Sequence, residues 1–341
     1  MKKILLSFLL LSSALLLHSC SEDFKVAAPY KDVSVIYGLL DMRDTAHYIR
    51  IQKAFLDETK SAIDMAKVAD SNYYKTLDVK MKELSGANVI STTNLERVNM
   101  ADEGYPKDTG AFFSSPNYAY KFKRQLNPSY RYRLVVLNPA TGDADSSEIN
   151  ILDSNDLKVS WRPNFIFANT VPAATAVYQI FANPTANVKY IEGIVRFHWI
   201  DSNLLTGEQI DDSADYLFDS KAPDGKPLQA AHASVYTFLK DQMGTPPANI
   251  VRLMDSVDFF FYGAGVDFYN YIVTTQLQSG GLTADQIKPL YTNISGKDVY
   301  GIFSTRTFAS KYDVPIDEIT IDSLKVNPIS KALEIRGRAH R

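Results

Sequence analysis

The stretch Leu126-Asn127-Pro128-Ser129-Tyr130-Arg131-Tyr132-Arg133-Leu134-Val135-Val136 carries the clearest fold information in the chain. From Tyr130 onward, Tyr130, Tyr132, Leu134 and Val136 fall on one side of an extended strand, and Arg131 and Arg133 on the other. An antiparallel sheet with one face on a core and one in water asks for this period of two. The flanks repeat it. Upstream, Leu77, Val79 and Met81 alternate with Asp78, Lys80 and Lys82, and residues 85–88 supply a turn around Gly86. Further up, Val33, Val35, Tyr37 and Leu39 alternate, residues 41–45 turn the chain, and Ile49, Ile51 and Phe55 resume, which predicts a hairpin. A short helix is expected over 59–69. Downstream, residues 138–143 turn and Ile149 and Ile151 fit a last strand.

Beyond residue 152 the pattern is less regular. Strands are predicted at 177–181, 190–200, 250–262, 299–304 and 318–324. Helices are predicted from about Ala230 to Met243, stopped by Gly244, and from Asp267 as N-cap to the residue before Gly280. Strands do not alternate regularly with helices, so the second half reads as a β-rich α+β unit rather than a doubly wound sheet.

The chain has 341 residues, 36 Lys and Arg, 39 Asp and Glu, and one cysteine. Charged residues at 22% and hydrophobic ones at 45% fit a folded protein and argue against disorder or a polytopic membrane protein. Lys2 and Lys3 precede an apolar run, Ile4 to Leu17, too short to span a bilayer but suited to an export signal. Leu17, His18, Ser19 and Cys20 resemble the lipobox of bacterial lipoproteins, with His18 an unusual occupant. The other reading is an ordinary signal peptide with a chance cysteine. On the lipobox reading residues 1–19 are removed, Cys20 is lipidated, and two or more acyl chains give stable membrane anchoring. No thiol then remains for a disulfide, a cysteine nucleophile or a thiolate metal site. Ser21, Glu22 and Asp23 look like the acidic signal that directs Bacteroidota lipoproteins to the cell surface, and equally like a plain polar tether.

Leu126, Pro128 and Tyr132 resemble the approach to strand F of fibronectin type III modules, whose tyrosine packs at the corner between sheets and bonds upstream backbone. The resemblance makes Tyr132 the corner residue and residues 26–152 an immunoglobulin-like β-sandwich, with residues 20–25 as anchor and tether and 153–341 as the second domain. More broadly, residues 32–40, 47–50, 54–56 and 70–74, with Phe268 to Tyr271, 291–296 and 301–303, look like an uncharacterised family of Bacteroidota outer-membrane and surface lipoproteins. Related groups accompany TonB-dependent transporters. The resemblance thus implies an accessory or partner-binding role, by analogy.

No catalytic set emerges. His47, His198, His232 and His340 form no local metal-ligand pair, and no G-x-S-x-G elbow is present. Gly263 and Gly265 lie between a strand and a helix like a phosphate-binding turn, but Phe268 stands where the third glycine belongs. They are therefore expected to form a tight connection only. Residues 201–207 begin like a calcium loop but place Leu205 at a ligand position, so a hairpin turn is expected. Asp317 and Glu318 are expected on opposite faces of a strand.

Lys121, Lys123, Arg131 and Arg133 interleave with aromatic residues. Export and net negative charge speak against nucleic acid, and the pattern reads as a basic outer strand face or a surface for an anionic protein or glycan. The sequence thus leads to a non-enzymatic, lipid-anchored outer-membrane protein without cofactor or metal, which binds an envelope partner; the family resemblance implies a TonB-dependent transporter as that partner. The alternative is a lipoprotein that captures a glycan or peptide.

Overall fold

The computed structural model describes residues 31–56, 62–108, 110, 113–167, 177–218, 226–254, 256–279 and 291–337. Cys20, with its leader and tether, and His340 lie outside them. The chain is mainly β with a few short helices.

Strands in the first half are β1 (Lys31–Asp41), β2 (Ala46–Leu56), β3 (Asp78–Ser85), β4 (Asn88–Asn94), β5 (Glu96–Asn99), β6 (Tyr118–Lys123), β7 (Arg131–Leu137) and β8 (Ala144–Asn150), with helical turns α1 (Ala62–Ala66) and α2 (Ala69–Asn72) between β2 and β3. They form two layers, ordered β1-β2-β6-β5 and β4-β3-β7-β8. Those orders match the ABED and C′CFG sheets of the immunoglobulin fold. Ile36, Leu40, Ile49, Ile51, Tyr120 and Phe122 from one layer meet Val79, Met81, Tyr132, Leu134, Val136 and Ile149 from the other. Tyr132 is 0% exposed, and its hydroxyl accepts the Asn127 N–H at 2.8 Å, which is the corner geometry expected for it. Burial pushes its phenol up to about 12.

One phase differs from expectation. On β1 the core-facing residues are Ile36, Gly38 and Leu40, not the odd-numbered set. On the outward side, Tyr37 meets Tyr271 of a second-half helix edge-to-face at 6.1 Å. Burial and a hydrogen bond with Tyr271 push the Tyr37 phenol up to about 12.

In the second half come β9 (Leu157–Val159), β10 (Val177–Ile180), β11 (Ala182–Pro184), β12 (Tyr190–Asn203), β13 (Gln209–Leu217), β14 (Leu228–Ala231), α3 (His232–Met243), β15 (Ile250–Met254), β16 (Ser256–Ala264), α4 (Val266–Ser279), β17 (Val299–Pro315), α5 (Glu318–Val326), a short 3-10 turn (Lys331–Leu333) and β18 (Ile335–Gly337). The calcium-like stretch is the turn of the β12–β13 hairpin. Residues 250–262 are two strands with different neighbours, and α4 starts at Val266, one residue before the expected cap. Residues 318–324 are helix α5, not a strand. The Asp317 carboxylate accepts the Ile319 N–H at 3.0 Å, and Thr320, Ile321 and Leu324 bury one helical face.

The two halves share one sheet. Ten strands join in the order β18-β15-β12-β16-β17-β1-β2-β6-β5, with β13 on β12. The first part of β17 runs parallel to β1, and the remainder pairs antiparallel with β16. Ile294, Val299 and Phe303 therefore complete the first-half core, so residues 26–152 do not contain all of it. The stretch at 152–156 is stapled rather than free: Thr305 accepts the Leu152 N–H at 3.1 Å, and Thr307 donates to the Asp153 carbonyl at 2.5 Å.

Two glycines make this seam possible. A Cβ on Gly38 would lie 2.5 Å from Ile49 and 2.9 Å from Phe303. At Gly301, with φ of 114°, a Cβ would stand 1.9 Å from the Ile36 carbonyl oxygen, which belongs to its own pairing partner. Gly301→Ala is expected to lose at least about 2 kcal/mol, from left-handed strain and a clash with rigid backbone. Urea unfolding followed by tyrosine fluorescence measures it; an unchanged midpoint would show that the β1–β17 seam is not structural.

Candidate functional site

The four basic residues singled out by the sequence do not form one stripe. Arg131 and Arg133 lie on the outer face of the β4-β3-β7-β8 layer, where both pair with Glu148, the latter at 2.6 Å. Lys121 and Lys123 alternate with the buried Tyr120 and Phe122, and so face outward from the ten-stranded sheet, on the far side of the sandwich. Lys121 pairs with Glu103, which also accepts the Tyr48 hydroxyl at 2.8 Å.

Across the second half of the ten-stranded sheet, the same outer face carries an assembly that sequence reasoning did not find. Inward residues Phe259 and Phe261 belong to the core, which leaves Phe260 and Tyr262 pointing out. Phe260 stacks on Phe308 of β17 at 6.1 Å and meets Tyr312 edge-on at 5.6 Å, while Tyr262 contacts Phe308 at 4.9 Å. Guanidinium groups cover these rings: Arg43 lies 3.8 Å over Phe308, Arg196 5.0 Å over Phe260 and Arg306 5.8 Å over Tyr262. Each such contact contributes about 0.5–1 kcal/mol at an exposed site.

Carboxylates hold the arginines in place. Asp215 binds Arg196 through two hydrogen bonds, at 2.6 and 2.8 Å. Asp41, 1% exposed, receives Arg43 at 2.6 Å and Arg306 at 2.8 Å. Burial works to raise the Asp41 carboxyl, but the Arg43 hydrogen bonds and the charges of Arg43 and Arg306 outweigh it and hold it below the ordinary carboxylate value. The result is a fixed surface of half-buried rings and oriented guanidiniums, with Tyr312 58% exposed at its margin. Beside it, Tyr190, Tyr262, Phe268 and Leu39 surround a hollow of about 150 Å³ with Glu192 and Arg306 at its polar side. That is below the usual range for a drug-sized ligand site.

The histidines have structural surroundings. His47 stacks on Phe122 at 4.7 Å and its Nε2 lies 2.9 Å from the Arg124 carbonyl; burial lowers its pKa. His198 meets Asp258 at 2.9 Å. His232 sits against Phe167 at 4.1 Å, and burial lowers its pKa also. Among the described residues no group of three His, Cys, Asp or Glu side chains is placed to hold a metal, and no helix is long and apolar enough to cross a membrane. No protein-family model matches the chain, and no curated protein matches its sequence significantly.

One buried carboxyl stands apart. Asp145 points into the sandwich from β8, where its Oδ1 has no hydrogen-bond partner and a Cβ on Gly296 would collide with it. Burial raises the Asp145 pKa, the Asp143 charge adds to the rise, and a Ser34 hydrogen bond opposes it. The folded protein thus binds this proton more tightly than the unfolded chain. The cost of the ionised form is absent below the unfolded pKa of about 4, grows as pH rises from there towards the raised folded value, and levels off above it. Asp145→Asn is expected to raise the urea midpoint at pH 7 and leave it nearly unchanged at pH 3; an equal shift at both values would assign the effect to packing instead.

Proposed function

We propose that the chain is a non-enzymatic, lipid-anchored outer-membrane protein that binds another envelope protein through the arginine–aromatic face of its large sheet. The observation that carries this reading is the surface formed by Phe260, Phe308, Tyr262 and Tyr312 under Arg43, Arg196 and Arg306. Tyrosine, phenylalanine and arginine are the residue types enriched in protein interfaces, where rigid rings contribute apolar area at small entropic cost. Guanidiniums already held by Asp41 and Asp215 lose little freedom on docking. Lys123 lies on the same outward side in the first half and favours an acidic rim on the partner, while Lys121 is already paired with Glu103. A TonB-dependent transporter is the partner class that the family resemblance suggests. Glycan or peptide capture is the second reading, favoured only by the small aromatic hollow at Tyr190 and Phe268.

Two measurements test the proposal. Cys20→Ala is expected to move the full chain from the membrane to the soluble fraction, and persistence in the membrane would refute the lipid anchor. Arg196→Gln with Tyr312→Ser is expected to reduce crosslinked partner recovery from native membranes about tenfold, roughly 1.4 kcal/mol. Arg131→Gln with Arg133→Gln, on the opposite layer, is expected to retain it. Equal recovery with both double variants would remove the arginine–aromatic face from the binding surface.

A further inference from the structure

The outer face of the large sheet is a lattice of big side chains with one gap. Across β12, β16 and β17, Tyr190 stands opposite Ala264 and Ala264 opposite Arg306, while in the next row Glu192 stands opposite Tyr262 and Tyr262 opposite Phe308. Strand alternation puts both rows on the same face. Ala264 is the one small residue in these two rows, so the space over its methyl group stays open as the hollow of about 150 Å³. Phe268 of α4 closes a further side, its ring 5.8 Å from Tyr190 with the planes at 59°. Rings of Tyr190, Tyr262 and Phe268 thus wall a floor made by one methyl group.

Two charged groups at the polar side keep bonding capacity. Asp41 fixes Arg306 by accepting its Nε–H at 2.8 Å, which leaves the terminal nitrogens as donors. Glu192 is half-buried, and among the described residues no hydrogen bond or ion pair occupies its carboxylate. A carboxylate only accepts and a guanidinium only donates, so a ligand here needs donors and acceptors side by side. The signs narrow it further. Arg43 and Arg306 share Asp41, and two guanidiniums against one carboxylate leave one positive charge, which Glu192 balances. A lone ammonium would meet Arg306 unfavourably, and a lone carboxylate would meet Glu192.

An uncharged ring bearing hydroxyls meets all of these demands. Each hydroxyl both donates and accepts, which serves Glu192 and Arg306 through charge-assisted hydrogen bonds. The C–H groups of such a ring form an apolar face that lies against the electron-rich faces of aromatic side chains. Volume sets the extent. At about 150 Å³, against a usual lower limit of about 300 Å³ for small-molecule sites, the hollow takes one ring and leaves further units of a chain outside.

We propose that this hollow binds one uncharged pyranose unit of a glycan, stacked on Phe268 and Tyr190 with its hydroxyls on Glu192 and Arg306. It rests on the capture reading above, to which it gives a ligand class and a place. Saturation-transfer NMR on the full-length chain in a non-glycosidic detergent tests it. The probes are the methyl glycosides of glucose, galactose, mannose and N-acetylglucosamine, with L-phenylalanine and tetramethylammonium as the zwitterionic and cationic alternatives. At least one glycoside is expected to receive saturation, and neither alternative is. Ala264→Val fills the floor without removing a binding group, and Glu192→Ala removes the acceptor at the rim; each is expected to weaken that glycoside at least tenfold, and the second serves if the first unfolds. Arg131→Gln with Arg133→Gln is expected to leave it unchanged. Glycoside affinity indifferent to both folded variants overturns the hollow as the site and leaves capture elsewhere on the chain standing. Absence of signal from every glycoside overturns the pyranose assignment and the glycan form of capture with it, and a stronger signal from phenylalanine or tetramethylammonium overturns the pyranose assignment alone.

Discussion

The parallel pairing of β1 with β17 is the constraint on which the other features depend. It joins residues 265 positions apart, with Ile36 opposite Gly301 and Gly38 opposite Phe303. Phe303 then inserts into the first-half core, while the same strand, a few residues on, presents Phe308 to the outer face and pairs with β16. One strand thereby belongs to both halves. Because the ladder is continuous, the first-half core and the second-half core lie on the same side of one sheet, and α4 packs on the other side against Tyr37. Loosening β17 would alter the sandwich and the arginine–aromatic face together. That is why a glycine with φ of 114° is tolerated at its centre: the close backbone approach excludes any side chain there.

The sandwich was legible wherever one strand face meets a core and the other meets water. Val79 and Met81, or Tyr132, Leu134 and Val136, announce themselves by period two, and Tyr132 adds a specific corner bond that its spacing from Leu126 and Pro128 foreshadows. The pattern failed where apolar residues stand on both faces. On β1 the outward Tyr37 packs on Tyr271 of α4, so alternation selected the wrong phase. At 318–324 the β-branched Ile319, Thr320 and Ile321 mimic a strand, yet the cap at Asp317 and the spacing of Ile321 and Leu324 were the better guide. The β1–β17 pairing had no local signal at all, since parallel partners distant in sequence leave no turn between them.

The arginine–aromatic face explains a run that reads ambiguously in one dimension. Phe259, Phe260, Phe261 and Tyr262 are unbroken, which on a strand means that rings project from both sides. Phe259 and Phe261 enter the core, and the two outward rings need cover that no layer of described structure supplies across Phe308 and Tyr312. Arginine provides it. Its planar guanidinium spreads over a ring while its donors remain available to a carboxylate, so Asp41 and Asp215 fix cations that would otherwise sample many rotamers. The outward rings are consequently covered in part by paired guanidiniums.

Charge placement separates the roles of the two layers. On the β4-β3-β7-β8 layer, Arg131 and Arg133 are consumed by Glu148, which holds β7 to β8 and leaves little net field outside. The opposite sheet keeps its carboxylates beneath or beside its cations: Asp41 is buried, so Arg43 and Arg306 form the outward layer of that cluster. Only at Asp41 do two guanidiniums share one carboxylate, so that cluster carries net positive charge. Both surfaces follow from where the sheet places each carboxylate relative to its cation, which composition alone does not encode.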